Sequence, residues 1–165
     1  VANVSVDFDT LKSNHPSYRT IRSLVTNIPS IVDETCAVQL SYALNRCSGG
    51  VIVNYAYPDA TVATGKVRGF EGNDKMNYIY SVVDMKVYLS NKYGTPENYK
   101  SSKAKVIEKI KGRRGILAMG YRHIDLWDKT DIHRSADYLM DYLWTNESLQ
   151  VRGVFFWEVT SEWGF

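Results

Sequence analysis

Two residue types in this chain can supply a nucleophile and its base. Cysteine occurs twice, at Cys36 and Cys47, and histidine three times, at His15, His123 and His133. A thiolate is the reactive form of cysteine, and an imidazole is the group that most often generates it. Together they can open an amide by acyl transfer: sulfur attacks the carbonyl carbon, and a thioester is then hydrolysed. Zinc chemistry fits poorly, because the two cysteines and three histidines lack metal-ligand spacing. No cofactor motif stands beside them.

Cys36 opens the run Cys36-Ala-Val-Gln-Leu-Ser-Tyr-Ala-Leu-Asn45. Ala37, Leu40, Leu44 and Cys47 recur at helical spacing, so one face of this helix is expected to be buried. Thr35 or Asp33 can cap its start, and Ser48-Gly49-Gly50 ends it. Cys36 thus falls in the first turn, where unpaired N–H groups and the helix dipole favour an anionic sulfur. The Cys36 N–H is also placed to hold a developing oxyanion. Along such a helix Cys36 and Cys47 lie roughly 16 Å apart. A disulfide needs less than about 7 Å, so the two cannot pair. Cys47 is read as a packing residue.

His123 opens the alternating segment His123-Ile-Asp-Leu-Trp127. Ile124 and Leu126 point one way, and His123, Asp125 and Trp127 the other. His15 precedes Pro16 in a turn and His133 follows a polar turn, while His123 on its strand reads either as a base or as a hydrogen-bonded strand histidine. A third group usually orients the imidazole. Asp125, Asp128, Asp131, His133 and Asp137 all lie downstream. Asp125 shares the strand face of His123 and can reach toward it. If 127–130 is a tight hairpin, the residues opposite His123 fall near Arg134 and Ser135, with Asp131 nearer the turn and Asp137 just beyond. Spacing alone does not choose among them.

The elements that must position these groups follow in order. Phe8–Ser13 and Tyr18–Ile28 read as short amphipathic helices separated by His15-Pro16, and Pro29-Ser30 is a second break. Val51–Tyr57 reads as a strand or extended segment. Pro58–Asp74 reads as a long loop that can border a cleft, with Asp59, Lys66, Arg68, Glu71 and Asp74 as solvated charges. Ser81-Val82-Val83-Asp84 is a capping box opening a helix that Gly94 stops. Ser102–Lys111 is a short polar helix. Gly115–Gly120, His123–Trp127 and Gly153–Val159 read as strands, and 132–144 fits helix or strand. Tyr42, Tyr78, Tyr80 and Trp127 read mainly as core, with a cleft lining as the other assignment. Helices come first and strands last, which predicts an α+β fold with the nucleophile helix packed on an antiparallel sheet. One domain over residues 1–165 is expected.

Composition narrows the partners. The 165 residues carry a formal net charge of +2, too small to argue for nucleic acid. There is no apolar run long enough to span a membrane. With 44% hydrophobic residues and 12 Tyr, 5 Phe and 4 Trp, the chain can bury a core without staples.

Several blocks resemble one family. The Cys36–Asn45 helix, Tyr78-Ile-Tyr-Ser-Val-Val-Asp-Met-Lys-Val-Tyr-Leu89, Lys111-Gly-Arg-Arg-Gly-Ile-Leu-Ala-Met-Gly120, His123-Ile-Asp-Leu-Trp-Asp128 and Phe156-Trp157-Glu158 are similar, in this order, to the fourth family of type VI secretion amidase effectors. Phe8 through Pro16 weakly resembles its opening. The resemblance implies a papain-like cysteine amidase fold. It implies cleavage of the D-glutamyl–meso-diaminopimelate amide of peptidoglycan stem peptides, without a cofactor. It also implies secretion into rival bacteria, action on the target cell wall, and a cognate immunity protein as partner. Two departures stand out. Arg122 precedes His123 where members usually carry Gly. Members also carry a third catalytic Asp among cysteines after the base strand, and this chain has no cysteines there. Asp137, in Ser135-Ala-Asp137-Tyr-Leu, aligns loosely with that Asp and is the first choice, with Asp131 second. Two other readings remain: a cysteine enzyme of the same fold acting on another amide, such as a protease or deamidase, and a non-catalytic binding module.

Overall fold

The computed structural model describes residues 2–47, 50–53, 55–56, 66–134, 144 and 152–160. The described chain begins with a two-residue strand β1 (Asn3–Val4) and the helices α1 (Phe8–Ser13) and α2 (Tyr18–Leu24). Asp7 caps α1 by accepting from the Thr10 N–H, and Ser17 caps α2 by accepting from that of Thr20. Helix α2 stops earlier than the expected Ile28. Beyond it, the Thr26 N–H donates to Asn73 Oδ1 at 3.0 Å, and Asn27 exchanges hydrogen bonds with Glu71 and Asn73. These contacts draw the chain out of helical geometry.

Helix α3 (Cys36–Cys47) is the central element. Nine of its twelve residues are buried, against the two sheets and the neighbouring helices. After it come β2 (Tyr55–Ala56), β3 (Arg68–Glu71) and β4 (Asn77–Ile79), which form a small sheet in the order β2-β3-β4. The expected loop over 58–74 is corrected here, because Arg68–Glu71 is a strand paired antiparallel with β4. Its turn is built from Gly72–Met76, where Gly72 N–H donates to the Met76 carbonyl at 2.8 Å and Lys75 takes a positive φ of 68°. The turn residues masked a short strand in the sequence.

Helix α4 (Val82–Tyr93) starts as the capping box predicts. The Asp84 N–H donates to Ser81 Oγ at 3.0 Å, and the Ser81 hydroxyl bonds the Asp84 carboxylate. Asp84 is buried and also takes Arg68, whose Nη2 lies 2.8 Å from Oδ2. Arg68 is therefore not a solvated loop charge, and neither is Asp74, which binds Arg46 at 3.1 Å. Gly94 ends α4 at φ 102°, a conformation that strains any residue with a Cβ.

The larger sheet holds six strands in the order β1-β9-β6-β7-β8, with β5 also on β9. Its members are β5 (Glu97–Tyr99), β6 (Arg114–Met119), β7 (His123–Asp128), β8 (Asp131–Ile132) and β9 (Val154–Val159), and α5 (Lys103–Ile110) leads into β6. All pairings are antiparallel except β1 with β9. One edge of β9 takes β6, and the other is shared: β5 covers Val154–Phe156 and β1 covers Glu158–Val159. At Gly115 a Cβ would sit 2.4 Å from the Trp157 carbonyl, so only glycine lets β6 and β9 approach this closely.

The main core joins Cys36, Ala37, Leu40 and Leu44 of α3 with Met85 and Leu89 of α4 and with Ile116, Ile124, Leu126 and Trp157 of the sheet. A second core under α5 holds Val106, Ile110, Trp127 and Phe156. Trp127 is fully inside, its indole N–H satisfied by the Ile110 carbonyl at 3.0 Å. Tyr78 lies in a third core with Ile21, Val25 and Val38. Trp127 and Tyr78 are therefore core residues, not a cleft lining. The whole is the α+β arrangement expected, with the helix that Cys36 opens packed on an antiparallel-dominated sheet. Among the described residues, no helix is long and apolar enough to cross a membrane.

Candidate active site

Cys36 is the first residue of α3 and is buried. The first N–H groups of a helix lack intrahelical partners, so the segment ends in donors aimed at its own first residue. Thr35 does not use its hydroxyl as a cap. That hydroxyl donates to Gln39 Oε1 at 3.0 Å, while the Thr35 carbonyl takes the Gln39 N–H at 2.8 Å. Gln39 in turn donates from Nε2 to the Pro16 carbonyl at 2.9 Å. One buried side chain therefore ties the first turn of α3 to the His15-Pro16 turn.

His123 is the first residue of β7 and is 1% exposed. The Cys36 side chain lies close enough to its ring to raise the imidazole pKa. Its Nε2 lies 2.9 Å from Asp125 Oδ2. Residues two apart on a strand share a face, so a single extended segment carries both. The other Asp125 oxygen accepts the Leu126 N–H at 2.7 Å. Cys36 and the hydrogen-bonded pair His123–Asp125 are thus brought together, all three buried.

The electrostatics follow from that arrangement. For His123, burial is the largest influence and pulls the pKa down. The bond to Asp125 and the nearby Cys36, with their charges, outweigh it and raise the pKa to about 10. For Asp125, burial works upward, but His123 and the Leu126 N–H hold the carboxyl below its usual value. The geometry therefore favours imidazolium beside carboxylate.

The other site candidates are placed differently. Asp131 is exposed and accepts the Thr130 hydroxyl at 3.1 Å. It pairs with Asp128 across the two-residue turn at Lys129-Thr130, the tight hairpin expected from the sequence. That register sets it about five strand positions from His123, roughly 16 Å along β7. Asp131 is therefore not brought to the imidazole, because the turn comes immediately before it. Asp137 lies outside the described residues. The position opposite His123 in the sheet is occupied by Met119 of β6. Cys36 and Cys47 are both free thiols. Cys47 Sγ donates to the Ala43 carbonyl at 2.8 Å, and burial raises its pKa to about 11, with a smaller contribution from Asp7.

Three features were under-read in the sequence. Asp125 was one of five candidate orienters, and its i+2 spacing on an alternating strand was the available signal. Gln39 carried no signal beyond its place one turn after Cys36. His15 looked like a turn residue, yet it is 2% exposed with its ring centroid 5.3 Å from that of His133. Neither His15 ring nitrogen has a hydrogen-bond partner among the described residues. Burial is the main cause that lowers its pKa, to about 4; His133, Arg134 and His123 add to this, and Asp125 opposes it. Among the described residues, no cluster of three His, Cys, Asp or Glu could hold a metal ion.

Comparison with known proteins agrees with this fold. Residues 32–157 match the family model described as type VI secretion system (T6SS), amidase effector protein 4. The fold is similar to the type VI effector Tae4 from Enterobacter cloacae, at TM-score 0.63 and 20% identity, covering 93% of each chain. It is also similar to the Tae4–Tai4 effector–immunity complex from the same organism, at TM-score 0.66 and 20% identity, covering 93% of this chain and 95% of that one. The Tae4/Tai4 effector–immunity system of Salmonella typhimurium gives TM-score 0.65 and 20% identity, covering 93% and 95%. No match is found among curated proteins.

Proposed function

Since the chain belongs to the type VI secretion amidase effector 4 family, and is thus an amidase directed at peptidoglycan as an antibacterial toxin, we propose that it works by cysteine catalysis with Cys36 as nucleophile. The observation that carries the proposal is the buried juxtaposition of Cys36 with the hydrogen-bonded pair His123–Asp125. His123 holds the proton taken from Cys36, and the thiolate attacks the carbonyl carbon of the stem-peptide amide. N–H groups at the start of α3, that of Cys36 among them, receive the oxyanion. His123 then protonates the departing amine, leaving an acyl thioester. Water, deprotonated by His123, adds to that thioester, and the carboxylic acid leaves as Cys36 recovers its proton.

Asp125 keeps the imidazole in one orientation and stabilises its charged form, the role the third member plays in such triads. It takes this role in place of Asp131, which geometry sets apart. The bond cleaved is proposed to be the D-glutamyl–meso-diaminopimelate amide, and the place of action the periplasm of the target cell. Relatives are known as effector–immunity complexes, which supports a protein inhibitor as a partner of this chain.

The experiment is digestion of purified sacculi by the protein and by Cys36→Ala. Release of peptide fragments should disappear in the variant. Unchanged release would end the cysteine mechanism. Mass analysis of the fragments identifies the bond.

A further inference from the structure

The β6–β7 turn that leads into His123 also walls an open cavity of about 570 Å³, lined by Val83, Lys86, Lys100, Gly120, Tyr121 and Arg152. Gly120 directly follows Met119, whose register partner is His123, so the cavity and the catalytic imidazole lie at the same end of the sheet. Three lining residues are cations, and among the described residues no carboxylate lines the cavity. Among the described residues, Lys86, Lys100 and Arg152 form no ion pair, although Arg and Lys elsewhere are paired with Asp84, Asp128, Glu97 and Glu158.

Lys86 is fixed in place. Its ammonium donates to the Gly120 carbonyl at 3.0 Å and lies 3.9 Å from the centre of the Phe155 ring. An ammonium has three donors, so two remain. Arg152 stacks on Tyr121 at 4.3 Å, with Arg122 on the same ring at 5.6 Å. Half-burying a lysine beside a second cation is unfavourable without a counter-charge. Consistent with this, burial and then the Arg152 charge lower the Lys86 pKa.

We propose that this cavity is an anionic subsite that binds a free carboxylate of the acidic stem peptide, next to the amide being cleaved, through Lys86 and Arg152. The proposal rests on the amidase reading above. Only Tyr121 and Arg122 separate Gly120 from His123, so across these three steps their Cα atoms are at most roughly 11 Å apart. An extended peptide covers that span in about three residues. A carboxylate one or two positions from the scissile bond can therefore reach the cavity while the carbonyl faces Cys36. Arg122, where glycine is usual in the family, lengthens the basic rim toward the site. A phosphate-bearing wall polymer is the alternative anion. The carboxylate is preferred because it belongs to the molecule that must already lie across the turn.

The test uses two synthetic stem peptides that differ at one group, a free α-carboxylate or the matching carboxamide on the acyl side of the scissile amide. Wild type should cleave the carboxylate form with about tenfold higher kcat/KM, mostly through KM, as charge-assisted bonds would give. Arg152→Gln and Lys86→Gln should lose most of that preference, the kcat/KM ratio of carboxylate to carboxamide peptide falling toward one. Lys86→Arg should retain it. Arg152 is exposed, so its variant should fold normally whatever happens at Lys86. Equal cleavage of both peptides by wild type, or a preference that survives both glutamine variants, overturns the subsite and leaves the amidase reading intact. Failure of wild type to cleave either peptide or sacculi overturns both.

Discussion

Asp125 stands two residues beyond His123 on one strand, and its Oδ2 lies 2.9 Å from Nε2, so the proposed base and its orienter come from a single segment of chain. An orienter on a neighbouring strand depends on the register of a hairpin. Here the alternation of β7 fixes the distance, and the hairpin that follows is free to vary. The Leu126 N–H at 2.7 Å locks the carboxylate from the other side.

The first consequence concerns the carboxylates. Asp125→Asn should lower kcat on stem peptide by on the order of a hundredfold, since the amide neither holds the imidazolium nor selects its tautomer. Asp131→Asn should stay within about twofold, because its side chain is exposed and bonds only Thr130 among the described residues. The pH profile supplies a second readout. The His123 pKa is raised to about 10 in the folded protein, so the imidazolium persists well above neutrality. Stability from it is complete below the ordinary pKa near 6.5 and is lost as pH rises through about 10. The alkaline limb of kcat/KM should therefore move to lower pH in Asp125→Asn. An unmoved limb would remove Asp125 from the role.

The two thiols should behave differently toward alkylation. Burial raises Cys47 to about 11, so little of it is thiolate at neutral pH. Cys36 faces an imidazole that can take its proton. Iodoacetamide near pH 7 should modify Cys36 first, and peptide mapping would show it. His123→Ala should slow that modification at least tenfold and leave Cys47 unchanged. Equal labelling of both cysteines in wild type would count against an activated Cys36.

Much of this site was legible because it rests on local rules. Helical periodicity after Cys36, alternation after His123, the capping box at Ser81 and the turn before Asp131 all have short-range causes. The choice of orienter did not follow, because five acidic or imidazole groups shared the neighbourhood and only tertiary register ranks them. Family likeness favoured Asp137, which lies outside the described residues, while the bond from His123 that the structure describes comes from within the strand. Arg68 and Asp74 were misread for a related reason. Their partners, Asp84 and Arg46, come from separate helices, and nothing local in a Gly-rich stretch announces such contacts.

The cap of α4 gives a stability test away from the chemistry. Ser81→Ala removes the acceptor of the Asp84 N–H and one ligand of a buried carboxylate. It should cost about 1–2 kcal/mol in urea unfolding. Asp84→Asn should cost more, since Arg68 would lose its ionic partner at a 3% exposed site. Both should leave kcat within about twofold at temperatures where the variants are folded.

His15 should make the protein acid-sensitive. Its ring is buried among His133, Arg134, Asp125 and His123, with no hydrogen-bond partner for either nitrogen among the described residues. Burial first, then the neighbouring positive groups, lowers its pKa from 6.5 to about 4. An unfolded chain protonates this histidine near pH 6.5, whereas the folded chain resists until about pH 4. Between those values the unfolded state binds more protons, so stability falls as pH falls. A shift from 6.5 to about 4 corresponds to a loss on the order of 3 kcal/mol across the window. His133, also lowered mainly by burial, acts in the same direction. His15→Leu removes the titrating group and its unsatisfied nitrogens. Its unfolding free energy at pH 4.5 should approach its own value at pH 7, while wild type loses most of the stated amount. A wild-type stability that is flat from pH 7 to pH 4.5 would show that His15 has found a partner able to carry its charge.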